Sequence, residues 1–525
     1  MCEVVLYDRG LHFFGQGEIP VSLLPERSLP RVDSLSRPAR DADLAKLDAL
    51  MIVVPQDIGD DAWQSLPRGA WLREERVRRA LSGGATLSAR LDNAAHTLLV
   101  IGLLPRDASA FVALKLAGQM LKEVASAQAT RLGASTVALP AQASQRALEA
   151  LVAATLAAGF ELPSFKSTPR NIHLPQSLTL FGAKARANGA WLKVTQATSE
   201  GNNLARWLTA LPGNELDARS YRERIARLAR REGWRMQFLD SAELKRLGAG
   251  AFLAVAQGNE TDDAGIVHLQ YKPARANAAR LVSLVGKGIC FDTGGTNLKA
   301  HKSMLDMHTD MEGSAVALGT LLALTRLKVR FAVDCWLAIT ENRIGPRAYK
   351  PQDVVKASNG TSIHVIHTDA EGRMVLADAL ALASRRKPEI ILDFATLTGA
   401  CVNALTERYS GVFTNRPRWR ETLERAGTYS GERTWCFPMD EDFDSDLESP
   451  LADVLQCTTE GKGDHILAAR FLSRFVDPTI GWAHVDLAAS QRTGGLAHIN
   501  TEITGFGVRF AVNLLLEQKL PRERA

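Results

Sequence analysis

Four carboxylates, a lysine and an arginine fall on three short motifs between Leu281 and Arg373, and a second lysine, Lys299, lies between the first two. The motifs are Val285-Gly-Lys-Gly-Ile-Cys-Phe-Asp-Thr-Gly-Gly295, Met307-His-Thr-Asp-Met311 and His367-Thr-Asp-Ala-Glu-Gly-Arg373. Asp292, Asp310, Asp369 and Glu371 in one cleft would repel one another strongly unless cations held them. Hard divalent metals are bound by such oxygen clusters on a rigid frame, so the set points to a dinuclear metallohydrolase site. Taken singly, each carboxylate also fits a helix cap or a surface ion pair. Lys287, flanked by glycines, and Lys299 belong to the same cluster. A lysine beside metal ions in a desolvated site either loses its proton and becomes a neutral ligand, or stays charged and acts as an electrophile. Arg373 closes the last motif at an expected helix start, where backbone N–H groups also favour anions. With the lysines it implies a pocket for a small anion or for developing oxyanion charge.

The elements around these motifs must bring them together. Strands are expected at Leu281 to Val285, Arg330 to Ile339, Ile363 to Ile366 and Ile390 to Phe394, with helices at Glu312 to Leu327 and Met374 to Arg385. On this reading Asp292 follows the strand ending at Val285 across a glycine-rich turn, and Asp310 sits just before a helix. Asp369 and Glu371, two apart after a strand, are expected to share one face of extended backbone. The C-terminal part adds an element at Ile466 to Val476, a strand at Trp482 to Leu487 and a last helix near Val508 to Leu516. A large sheet with helices on both faces follows, with functional residues in loops at strand ends.

Upstream, Ala49 to Val54, Thr97 to Leu104 and Ser135 to Leu139 read as strands, and Asp107 to Ala129 and Ala143 to Ala158 as helices. They make a first α/β domain over residues 1–195, without a catalytic constellation. His96 is expected to be packed or on the surface rather than a ligand. Pro163, Pro169 and Pro175 punctuate a polar segment at the domain edge. Beyond it, a helix is expected to start near Ser199, and Arg219 to Glu232 forms a strongly charged one. Residues 196–525 then form the larger domain.

A chain of 525 residues exceeds one core. Its 46% hydrophobic and 23% charged residues are ordinary for a soluble enzyme. A net charge of +5 over such a length argues against a dedicated nucleic-acid binder. Six scattered cysteines without a CxxC pair point to reduced thiols and a cytoplasmic setting. The first residues, Met1-Cys-Glu-Val-Val-Leu-Tyr-Asp, do not read as an export signal. No apolar run approaches the roughly 18 residues that span a bilayer.

The first and third motifs, with Glu341-Asn342 and Thr396-Leu-Thr-Gly-Ala400, closely resemble the leucyl aminopeptidase family. The resemblance runs from about Leu208 to the last helix; residues 1–195 are similar only in general character. It implies an N-terminal α/β domain plus a larger C-terminal α/β catalytic domain with a central mixed sheet. It also implies removal of N-terminal residues, leucine among others, from peptides with a free N-terminus by two divalent ions, zinc or manganese. Lys287, Asp292, Asp310, Asp369 and Glu371 fall on the family's metal ligands, Asp292 and Glu371 contacting both ions. Lys299 falls on the lysine that polarises the scissile carbonyl. Arg373 falls on the arginine that holds a bicarbonate ion acting as general base. Met307, Thr396 and Gly399 fall on the pocket for the first substrate side chain. The family further implies a homohexamer with active sites facing an enclosed interior.

Three departures stand out. His367 replaces a more usual Asn, Glu312 stands where a small residue is usual, and Ser490-Gln-Arg492 replaces a small-aromatic sequence. Glu312 reads either as a solvated carboxylate at a helix start or as a group behind the ligands. None removes a ligand, so they bear on substrate preference and metal tuning. Two other readings compete with the peptidase: a non-enzymatic assembly or DNA-binding relative, and a dinuclear hydrolase of another bond such as a phosphoester. The pairing of Lys287 with Lys299 favours the peptidase.

Overall fold

The computed structural model describes residues 24–25, 29–168, 173–182, 189–273 and 280–520. Pro169 and the opening Met1 to Asp8 lie outside these residues. A first sheet has six strands: β1 (Arg31–Leu35), β2 (Ala49–Pro55), β3 (Thr86–Arg90), β4 (Leu98–Leu104), β5 (Arg131–Thr136) and β6 (Ser177–Phe181). Their order is β1-β6-β5-β2-β4-β3, parallel except for the antiparallel edge strand β3. Both faces of β2 are covered, which is why it reads as an unbroken apolar run: Ala49, Met51 and Val53 enter one core and Leu50, Ile52 and Val54 the other. The strand expected at Ser135 to Leu139 instead begins at Arg131 and stops at Thr136. Ala138 has a φ of 57°, which ends the extended run.

The second sheet has eight strands. They are β7 (Arg235–Leu239), β8 (Gly265–Tyr271), β9 (Leu281–Asp292), β10 (Ala332–Asn342), β13 (Ile390–Ala395), β14 (Ser410–Thr414), β15 (Thr434–Cys436) and β17 (Gly481–Asp486). A small separate sheet holds β11 (Val354–Lys356), β12 (Ser362–His364) and β16 (Val454–Leu455), so the strand expected near Ile363 lies outside the main sheet. The main order is β15-β14-β17-β13-β9-β10-β8-β7, mixed, with a parallel centre β17-β13-β9-β10. Helices cover both faces, as expected. Glu312–Arg326 and Val508–Leu516 lie on one side, and Glu371–Ser384 and Asp464–Ser473 on the other.

Two departures from the sequence reading share a cause. Gly286 and Gly288 do not form a turn but lie inside β9, which runs seven residues beyond Val285 to Asp292. A β-carbon on Gly286 would sit 2.4 Å from Ser314 Cα, so the bare backbone lets the helix Glu312–Arg326 press onto the strand. The helix expected near Ser199 starts at Ala190 and runs to Thr209, through the division expected at residue 195. Its Gly201 crosses Gly319: a β-carbon on either would fall 2.2 or 2.3 Å from the other's carbonyl oxygen. Buried Asn202 donates to the carbonyls of Thr504 and Gly505, and Asn203 to that of Leu156, so polar residues occupy a helix face that faces protein.

Candidate active site

The C-terminal ends of the parallel strands all deliver groups to one place, where open α/β sheets bind their ligands. Asp292 ends β9, Asn342 ends β10, Thr396 follows β13 and Asp486 ends β17. All ten residues singled out from the sequence line one cavity of about 710 Å³: Lys287, Asp292, Lys299, Met307, Asp310, Asp369, Glu371, Arg373, Thr396 and Gly399.

Lys287 projects from within β9 and is 3% exposed. Its ammonium donates to Asp310 Oδ1 at 2.7 Å and to the Thr396 carbonyl at 2.7 Å, and lies 3.1 Å from Glu371 Oε1. Lys299 lies 2.9 Å from Asp292 Oδ2 and 2.6 Å from Asp369 Oδ1. Burial works against the charge of both lysines, but the surrounding carboxylates outweigh it and hold both ammonium groups above their usual range. For the carboxylates burial dominates, with crowding by Asp292 adding to it. Asp310 is pushed up to about 6 and Glu371 to about 8, and Asp369 is raised.

Carboxylate oxygens of Asp292, Asp369 and Glu371 lie within 4.8 Å of one another. Asp310 Oδ2 is buried without a hydrogen-bond partner. An oxygen-rich cluster with an orphaned buried acceptor fits divalent cations. Asp369 and Glu371 do not converge by strand alternation, however. Ala370 has φ −101° and ψ 34°, its N–H donates to the His367 carbonyl at 3.0 Å, and Glu371 is already the first residue of a helix.

Several groups the sequence reading left without a role hold this arrangement. Asn342 Nδ2 donates to Asp292 Oδ1 at 2.7 Å, to the Thr368 carbonyl at 3.0 Å and to Glu371 Oε2 at 3.4 Å. Its place at a strand end beside Glu341 was the available signal. Asp486 accepts from the N–H groups of Leu397 and Thr398 and from the Thr398 hydroxyl at 2.6 Å, fixing the loop that carries Thr396 and Gly399. Asp464, in no motif, pairs with Arg373.

The departures resolve differently. Exposed His367 accepts the Asp369 N–H on Nδ1 at 3.3 Å, steadying the ligand loop. Ser490 and Gln491 line the cavity, whereas Arg492 lies outside its wall. Glu312 is not solvated: it is fully buried, neither carboxylate oxygen has a side-chain partner, and burial raises it well above the usual range. At Arg373, where a small anion was expected, a carboxylate of the chain itself already stands. The residue is 2% exposed, Nη2 donates to Asp464 and Nη1 to the Gln456 carbonyl, and Nε is buried without a hydrogen-bond partner.

Residues 203–512 match the model of the cytosol aminopeptidase family's catalytic domain. The chain belongs to the cytosol aminopeptidase family. A probable cytosol aminopeptidase of Parasynechococcus marenigrum is 36% identical over 450 residues, covering 85% of this chain and 91% of its own. One from Synechococcus sp. (strain CC9902) is 40% identical over 357 residues, covering 67% and 72%. Among solved structures, a mutant of tomato leucine aminopeptidase superposes with a TM-score of 0.82 at 27% identity, covering 94% of this chain and 98% of its own. A bottromycin maturation enzyme in complex with Mn gives 0.77 at 27%, covering 90% and 99%. The resemblance seen in the motifs thus extends over the fold of both sheets. As a member of the cytosol aminopeptidase family the chain is a metal-dependent aminopeptidase, a hydrolase of peptide bonds. Among the described residues, no helix is long and apolar enough to cross a membrane.

Proposed function

We propose that the chain removes leucine and other N-terminal residues from peptides with a free α-amine, using two divalent ions. Lys287, Asp292, Asp310, Asp369 and Glu371 would hold them, and zinc and manganese both suit this mixed oxygen and amine set. The carrying observation is the oxygen cluster of Asp292, Asp369 and Glu371 within 4.8 Å, next to the orphaned Asp310 Oδ2. Bound there, the ions would supply an activated water and an anchor for the substrate amine.

The chain's own residues do the rest. Lys299 brings a cation to the oxygen that turns negative as the scissile carbonyl is attacked. Met307, Thr396 and Gly399 border the pocket for the first side chain. A β-carbon at Gly399 would meet nothing within 4 Å, so the glycine leaves that volume to the substrate. Thr396 also donates to Asp310 Oδ1 at 2.8 Å, tying the pocket wall to the ligand set. The reading extends to a cytoplasmic homohexamer, with residues 1–195 as the N-terminal domain and 196–525 as the catalytic one.

Two measurements test it. A chelator should abolish hydrolysis of a leucine anilide, and Mn²⁺ or Zn²⁺ should restore it; full activity in metal-free protein would sink the two-ion reading. N-acetylated peptides should be poor substrates beside their free-amine forms, and equal rates on both would remove the amine anchor.

A further inference from the structure

Arg373 sits in the first turn of the helix Glu371–Ser384 and lines the cavity. Asp464, the first residue of the helix Asp464–Ser473, places both carboxylate oxygens 2.8 Å from Nη2. The carboxylate is partly open, its side chain 24% exposed, and it lines the same cavity as Lys299, Asp310 and Glu371. Gly463 just before it has a φ of 62°, a backbone turn suited to glycine that sets the carboxylate at the helix start. Nη1 donates to the Gln456 carbonyl and Nη2 to Asp464, so both terminal nitrogens already have acceptors, while Nε is buried without a partner.

We propose that Asp464 is the anion of this site and its general base, so that the enzyme needs no bicarbonate. The proposal rests on the aminopeptidase reading above. In the step it serves, a water proton passes to Asp464 and the water oxygen bonds to the scissile carbonyl carbon. The C–N bond then breaks and the departing amine takes that proton, leaving Asp464 ionised as it began. A base fixed to the chain is always in position, whereas an exchangeable anion must be bound first. A buried arginine also requires a partner for its charge, so the competing explanation is that Asp464 serves structure alone.

The test uses the metal-loaded full chain and a leucine anilide in bicarbonate-free buffer. Wild type should be indifferent to added bicarbonate, and ¹³C-bicarbonate NMR should show no bound ion. Asp464→Gly and Asp464→Asn should melt lower because Arg373 loses its partner, yet stay folded with their metal content at the assay temperature and lose roughly 10²–10⁴ in kcat, the usual contribution of a positioned base. Bicarbonate should restore part of the rate in Asp464→Gly, and nitrate, which has the same planar shape without the basicity, should not. Activation or binding of bicarbonate in wild type, full kcat in Asp464→Asn, or equal rescue by nitrate each overturns the proposal. A wild-type enzyme inert toward the anilide when loaded would instead sink the aminopeptidase reading, and the NMR arm would still decide who occupies Arg373.

Discussion

A β-carbon at Gly372 would fall 2.7 Å from Lys287 Cε and 2.8 Å from its Nζ. That lysine is pinned by Asp310 and the Thr396 carbonyl and cannot swing aside without leaving the site. Gly372→Ala should therefore cost little stability but weaken metal binding about 10–100-fold, as removal of supporting contacts does elsewhere. A metal titration beside a melting curve checks this, and unchanged affinity would count against Lys287 as a ligand. Asp369→Ala should lose metal outright. Lys299→Ala should keep both ions and lose roughly 10²–10³ in kcat with little change in KM, because the charge it meets exists mainly in the transition state. Elemental analysis run beside kcat separates the two, and a Lys299→Ala enzyme with full rate would refute its role. At this scale the sequence was informative because carboxylates and lysines so close in the chain have few other uses. Asp464 was invisible because its meaning comes only from contact with Arg373, 91 positions away.

The helix Ala190–Thr209 and the helix Glu312–Arg326 touch backbone to backbone at Gly201 and Gly319. Gly201→Ala would drive a methyl group into a carbonyl oxygen and should destabilise by about 1–3 kcal/mol, measurable by urea unfolding. A second test concerns Glu432, whose Oε2 accepts the Gly507 and Phe510 N–H groups at the start of the helix Val508–Leu516. Burial pushes its carboxyl up to about 7, against the hydrogen bonds that pull it down. The fold then binds a proton that the unfolded chain releases near 4.5, so this group's contribution to stability is full below about 4.5 and fades as pH rises through 7. Glu432→Gln keeps an oxygen for both N–H groups, so it should match wild type at low pH and melt higher at pH 8. A lower melting temperature at pH 8 would refute this. Elements buried on one consistent pattern were legible: β2, β4 and the last helix fall within about a residue of expectation. Gly286 and Gly288 misled because glycine marks both turns and tight packing, and only the neighbouring helix decides between them. The start of the helix Ala190–Thr209 was hidden for a related reason, since its first turns bury Thr195, Thr198 and Ser199 beside Leu192 and Ala197.

Across the whole molecule, the first sheet holds none of the ten site residues, yet it is fastened to the second. Asn203 donates to the Leu156 carbonyl, and Asn500 donates to that of Gly118 at 3.3 Å. A chain beginning at residue 196 would start inside the helix Ala190–Thr209 and lose its first turns, with buried Leu192 and Thr195. Such a truncation should aggregate where one beginning at residue 189 stays more soluble, checked by expression and size-exclusion chromatography; equal solubility would show those first turns to be dispensable. The order β17-β13-β9-β10 has one more consequence, and it concerns time. Its neighbours are far apart in sequence, and pairing them means closing long loops before any contact rewards it, which makes folding slow. Asp292, Asn342, Thr396 and Asp486 reach one another only once those four strands are in register. A newly made chain thus passes most of its folding without a place for its metals, and tight metal uptake becomes a clock that starts when the sheet closes.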